Sequence, residues 1–185
     1  MDYGKVAFVG GGNMARALAG GMLAAGYEPS HILICEPLAE HRKTLVEELP
    51  GVVVRADNAT SVAEAECVLF AVKPQILGDV CKPLAHIVQT TRPLVISIAA
   101  GVRSSDIDTW LGGNLAVVRV MPNQAALLRL GISGMFANDK TTELQLRAAT
   151  NIIATTGPVI PVSSEEDIDT VTAVSAPDPP ISTCS

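Results

Sequence analysis

Aromatic side chains are scarce in this 185-residue chain, at 3% of the sequence, and basic ones are outnumbered, with 13 lysines and arginines against 19 aspartates and glutamates. The resulting formal charge of −6 argues against a nucleic-acid binder, which must neutralise phosphates. A small-molecule partner is the better expectation. The four cysteines, Cys35, Cys67, Cys81 and Cys184, form no CxxC pair. Three of them lie in apolar or helical context, where a free thiol serves as a small core residue, and this usage fits a reducing, cytoplasmic compartment. His31, His41 and His86 lack i, i+4 spacing with one another or with a cysteine, so no metal site is expected. No apolar run reaches the ~18 residues of a membrane span. The apolar stretch Val6 to Val9 breaks at once into glycines, unlike the core of a signal peptide. The expected protein is neither exported nor inserted in a membrane.

What is present is apolar residues, at 48%, and 15 glycines, a composition that suits a compact α/β protein. The length allows one well-buried core and the start of a second domain. Short apolar runs at 5–9, 31–35, 52–54, 67–72, 93–99 and 115–120 read as strands, most of them β-branched and each too short for a helix. Helical patterns lie between them at 13–26, 38–49, 61–66, 74–88 and 104–111, the first placing Met14, Leu18, Met22 and Ala25 on one stripe with Gly26 as its C-cap. A last unit adds a strand at 131–137, a helix at 140–157 and a strand at 158–162. Strands that are apolar throughout and separated by helices are parallel and covered on both faces. The pattern therefore predicts a Rossmann-like, doubly wound, mostly parallel sheet, and no solenoid-type repeat is visible.

The segment "VAFVGGGNMARAL" carries Gly10, Gly12 and Ala15 in the G-x-G-x-x-G/A spacing, directly after the first strand and opening the first helix. In that pattern Gly10 permits the tight turn, Gly12 lets the backbone approach a pyrophosphate, and Ala15 packs helix against strand. The helix N-terminus adds free N–H groups and a positive dipole end. A tight strand-to-helix turn calls for glycine in any case, so the motif needs context. Glu36 provides it: it ends the second strand about twenty residues on, where a carboxylate accepts from the ribose hydroxyls of an adenosine; its alternative is a solvated, helix-capping acid. Glu36 repels a 2′-phosphate, whereas Arg42 and Lys43 on the following helix could accommodate one. The balance leans towards NAD(H).

The stretches "FVGGGNMARAL" (8–18), "FAVKPQ" (70–75), "VISIAAGV" (95–102), "RVMPN" (119–123), "GISGMFAN" (131–138) and "DTVTAVS" (169–175) resemble, in order and spacing, the pyrroline-5-carboxylate reductase family. Single motifs are shared more widely among NAD(P)-dependent dehydrogenases; the set, spanning residues 4 to 175, is specific. The resemblance implies reduction of 1-pyrroline-5-carboxylate to L-proline by hydride transfer from NAD(P)H. It places Gly10, Gly12, Asn13 and Met14 at the pyrophosphate, Asn58 near the adenosine, Ala71, Val72, Lys73 and Pro74 on the nicotinamide side, and Ala100, Gly101 and Asn123 behind it. Lys73 could attract the substrate carboxylate, but a lysine before proline at a strand end is as readily a solvated turn residue, and hydride transfer to an imine needs orientation more than a protein base. Arg119, inside a strand, reads as structural or as half of an ion pair. Two positions depart from the family: Gln124 and Ala125 stand where Thr and Pro usually follow "MPN", and position 36 is often neutral there. A β-hydroxyacid dehydrogenase relative and a non-catalytic dinucleotide-binding module are the alternatives.

The ending "APDPPISTCS" (176–185) departs from the resemblance, which implies a glycine-rich turn opening a helical dimerisation domain. Back-translated from the third base of the Ser175 codon, these residues are compatible with Gly-Ser-Gly-Pro-Ala-Tyr-Phe-Tyr-Leu-Leu, the family-like continuation. A lost base beside that codon is therefore expected, and reading the coding DNA across Val174 checks it. The expected organisation is a cofactor domain over 1–162, the start of the family's helical domain over 163–175 and an aberrant tail over 176–185, the rest of the helical domain being missing. Substrate-holding residues would then lie outside the chain. No catalytic residue is assigned, the chain is expected to show little or no activity by itself, and the full-length family form is expected to be a homodimer or a higher homo-oligomer.

Overall fold

The computed structural model describes residues 4–122 and 131–168; Asn123, Gln124, Ala125 and everything after Ile168 lie outside the described residues. Its centre is an eight-stranded sheet in the order β3-β2-β1-β4-β5-β6-β7-β8. The strands are β1 Val6–Val9, β2 Ile32–Cys35, β3 Val53–Arg55, β4 Cys67–Phe70, β5 Leu94–Ser97, β6 Val117–Pro122, β7 Ser133–Ala137 and β8 Val159–Pro161. β1 to β6 are parallel; β7 pairs antiparallel with β6, and β8 runs parallel to β7. The mostly parallel, doubly wound sheet read from the apolar runs is thus observed. The chain winds outward from β1 first to β2 and β3 and then, on the other side, to β4. That reversal opens a crevice beyond the carboxyl ends of β1 and β4, where such sheets take their ligands.

Each strand divides its side chains between two cores, because successive residues point to opposite faces. Val6 and Phe8 join Leu18 and Met22 of α1 (Asn13–Ala24), Leu45 of α2 (Ala39–Glu48) and Ile152 of α7 (Glu143–Ile153) on one face. Ala7 and Val9 join Val62 of α3 (Asn58–Glu64), Leu77 of α4 (Pro74–Cys81), Val88 of α5 (Ala85–Thr91) and Ile107 of α6 (Ser104–Trp110) on the other. Gly26, at φ +86, follows the C-cap residue Ala25, the left-handed stop expected there. The helix expected over 74–88 is two helices, α4 and α5, joined by a 3-10 turn at Lys82–Leu84. Pro83 is the reason: it has no N–H to donate back along the ladder.

Cys35, Cys67 and Cys81 are buried free thiols. Burial pushes all three above the ordinary thiol range, Cys81 to about 12, so they are core residues and not nucleophiles. Among the described residues no helix is long and apolar enough to cross a membrane.

Candidate functional site

The turn from β1 into α1 is held by its backbone. Gly10 lies at φ +105, and a Cβ there would stand 2.8 Å from the Ala71 carbonyl oxygen, so only glycine lets β1 leave the sheet beside β4. Its N–H donates to the Cys35 carbonyl at 2.9 Å. Gly12, the N-cap of α1, differs: a Cβ there would meet nothing within 4 Å. The helix end it opens carries no side-chain cap and no acidic residue in its first turn. By contrast α3 and α7 are capped by Asp57 and by Thr142. Of these three, the helix aimed at the crevice is the one left to present its N–H groups and positive dipole end to an outside anion. A pyrophosphate fits this cradle by charge and by space.

Glu36 lies at the end of β2, 8% exposed. Its carboxylate accepts from the Gly11 N–H at 3.3 Å and from the Leu38 N–H at 3.0 Å, with His41 Nδ1 3.6 Å away. It is therefore neither a solvated acid nor a simple pendant group; it ties the glycine turn to the start of α2. A carboxylate offers about four lone-pair sites, so acceptor capacity remains after two such bonds. Gly11, the variable position of the motif, is constrained by this arrangement, since a Cβ would fall 2.7 Å from Leu45 Cδ1 and 3.2 Å from Glu36. The motif by itself does not reveal that. Arg42 turns back onto the strand end, its Nη1 donating to the carbonyls of Glu36 at 2.9 Å and Pro37 at 2.6 Å, and Lys43 pairs with Glu40 at 3.3 Å.

The remaining expected residues also collect at the carboxyl ends of the strands. Asn58 opens α3 after β3, behind the Asp57 cap. Ala71 and Val72 follow β4, Lys73 is the N-cap of α4, and Pro74 is its first residue. Lys73 is exposed, as a solvated turn lysine would be. Ala100 and Gly101 lie exposed in the turn between β5 and α6. Ala15 is fully buried against the sheet, and Asn13 and Met14 form the first turn of α1. One rim thus gathers every expected cofactor residue except Asn123, which falls outside the described residues.

Arg119 of β6 is half of an ion pair, its Nη1 3.1 Å from Glu165 Oε1. Glu165 lies beyond β8 and also accepts from the Ser104 N–H at 2.6 Å. Its partners are 46 and 61 positions away in the chain, and no local pattern signals either. Among the described residues no group of three or more His, Cys, Asp and Glu side chains is placed to hold a metal ion.

The open cradle lies at the switch point of this strand order, and the chain belongs to the family described as NADP oxidoreductase, coenzyme F420-dependent, which matches residues 5–101. Within that class the relatives are more particular. Over 97% of its length the chain is 41% identical to pyrroline-5-carboxylate reductase from Vibrio alginolyticus and 40% identical to that from Pseudomonas aeruginosa. It superposes with a TM-score of 0.90 and 37% identity on the solved pyrroline-5-carboxylate reductase of Coxiella burnetii, covering 95% of this chain and 64% of that one. A Plasmodium falciparum pyrroline carboxylate reductase, solved with NADP bound, shares the fold at 24% identity and a TM-score of 0.81, over 95% of this chain and 63% of that one. The resemblance read from the motifs is borne out. The chain spans 65% of the length of the curated Vibrio and Pseudomonas relatives.

Proposed function

We propose that residues 1–162 form the dinucleotide-binding domain of a pyrroline-5-carboxylate reductase, an enzyme that reduces 1-pyrroline-5-carboxylate to L-proline with NAD(P)H. The observation that carries the reading is the uncapped α1 N-terminus at Gly12, open where a Cβ would stand, in a chain 41% identical to such a reductase. The dinucleotide, when bound, supplies the hydride. The chain's own residues bind and orient it. Gly10, Gly12, Asn13, Met14 and Ala15 shape the pyrophosphate cradle; Glu36 and Asn58 address the adenosine end; Ala71, Val72, Lys73, Pro74, Ala100, Gly101 and Asn123 border the nicotinamide side. Orientation of this kind supplies much of the rate in a reaction that needs no protein nucleophile. The substrate, the homo-oligomeric full-length form, a cytoplasmic location and the 1–162, 163–175 and 176–185 organisation belong to the same proposal. A non-catalytic dinucleotide-binding module is the second reading, supported by the rim residues being assigned to the cofactor and none of them to a substrate.

Titrating the 185-residue chain with NADH and NADPH, following nicotinamide fluorescence, tests the first claim: saturable binding is expected, and no binding of either cofactor overturns it. Adding 1-pyrroline-5-carboxylate to this chain is expected to give little or no proline under either reading; the two separate in a chain extended by the shifted-frame continuation after Ser175, where proline formation upholds the reductase and binding without turnover favours the module. In the same titration Glu36→Gln is expected to raise NADPH affinity relative to NADH by about tenfold, or ~1.4 kcal/mol, by removing the charge that repels a 2′-phosphate.

A further inference from the structure

Glu165 is the one acidic side chain among the described residues that bridges the segment after β8 to both a central strand and the rim of the cofactor crevice. Its Oε1 lies 3.1 Å from Arg119 Nη1 and accepts from the Ser104 N–H at 2.6 Å. The Arg119 side chain is 6% exposed and that of Glu165 18%, so the pair is largely withdrawn from water. Arg119 is anchored in β6, opposite Ser97 on one side and Phe136 on the other. Ser104 is the first residue of α6, whose own N-cap, Arg103, supplies no side-chain bond. On the outer side Arg103 lies 3.8 Å from Glu166.

We propose that Glu165 is a positioning residue for the turn carrying Ala100 and Gly101: it fixes the far end of that turn, at Ser104, to the sheet through Arg119. The inference rests on the reading of this turn as the nicotinamide-side rim. A buried ion pair is a poor source of net stability compared with apolar packing, and its best-attested use is to set register between elements. Here the elements are remote in sequence, and the shared oxygen makes the position of Ser104 depend on that of Arg119. The near end of the turn is held separately, by the Ile98 N–H to the Phe70 carbonyl at 3.2 Å and the Ala99 N–H to Ser97 Oγ at 3.3 Å. The bond from Ser104 to Glu165 therefore holds the far end of the rim by itself, and none of the backbone bonds of the sheet or of the glycine turn runs through it.

Glu165→Ala would strand the Arg119 charge and endanger folding, so the decisive variant is the double change Glu165→Met with Arg119→Met, and Glu165→Gln, which can still accept from Ser104, is the conservative rescue. Amide exchange over residues 98–105 in the full chain is expected to quicken by about tenfold or more in the double variant. NADH affinity is expected to fall by about tenfold, the amides of 10–16 to keep their protection, and Glu165→Gln to recover most of both losses. A melting temperature that drops while exchange at 98–105 and NADH affinity stay as in the wild type is what a merely structural pair would give, and it overturns the inference. Failure of the wild-type chain to bind either cofactor sinks the cofactor reading instead; unchanged exchange at 98–105 then still refutes the anchor, and quickened exchange upholds it.

Discussion

A methyl group added at Gly10 would lie 2.8 Å from the Ala71 carbonyl oxygen on a backbone already at φ +105, whereas one added at Gly12 would meet nothing within 4 Å. The two substitutions should therefore separate stability from binding. Gly10→Ala is expected to cost about 1–3 kcal/mol of folding free energy through backbone strain. Gly12→Ala should leave the urea midpoint unchanged while weakening dinucleotide binding by about tenfold, because its methyl enters the anion's space. Equal loss of stability in both variants would contradict the geometry. At this scale the spacing Gly10, Gly12, Ala15 is legible in the sequence alone, since the chemistry of a tight turn dictates residue type. The carboxylate of Glu36 is legible there as an acid at the right place, but its bonds to Gly11 and Leu38 are not: they depend on how closely α2 approaches the turn.

The helix α3 owes its start to Asp57, which accepts from the N–H groups of Ala59 and Thr60. The Thr60 hydroxyl, then the two backbone donors, hold the Asp57 carboxyl below its ordinary range. Hydrogen bonds from Lys5 and Arg55 do the same for Glu64 at the other end. A carboxyl whose folded-state pKa is depressed adds stability above its unfolded value and loses it as pH falls through the folded value. Asp57→Ala should accordingly melt lower than the wild type near neutral pH, with the gap closing as pH drops below about 4. A gap that persists undiminished in acid would mean that the cap acts through shape and not through charge. The order of helices and strands is readable from period and length, because burial on one face or two imposes different patterns. Their ends are less so: the division at Pro83 follows from a missing donor that the apolar period conceals.

Phe8 and Phe70, on adjacent strands, are both fully buried, one in each core. Truncating either to alanine should cost about 3–5 kcal/mol, and because the two cores share one sheet each variant should still unfold in a single transition in urea. Two transitions would show that the layers fold separately. The alternation of apolar strands and amphipathic helices by itself determined a doubly wound sheet with a glycine-rich turn after its first strand, since covering a parallel sheet on both faces leaves few other arrangements. Tertiary structure alone decided that Glu165 would reach Arg119 and Ser104, and that Glu36 would bind Gly11. Those contacts join residues far apart in the chain, and only the packing of the sheet sets the distances between them.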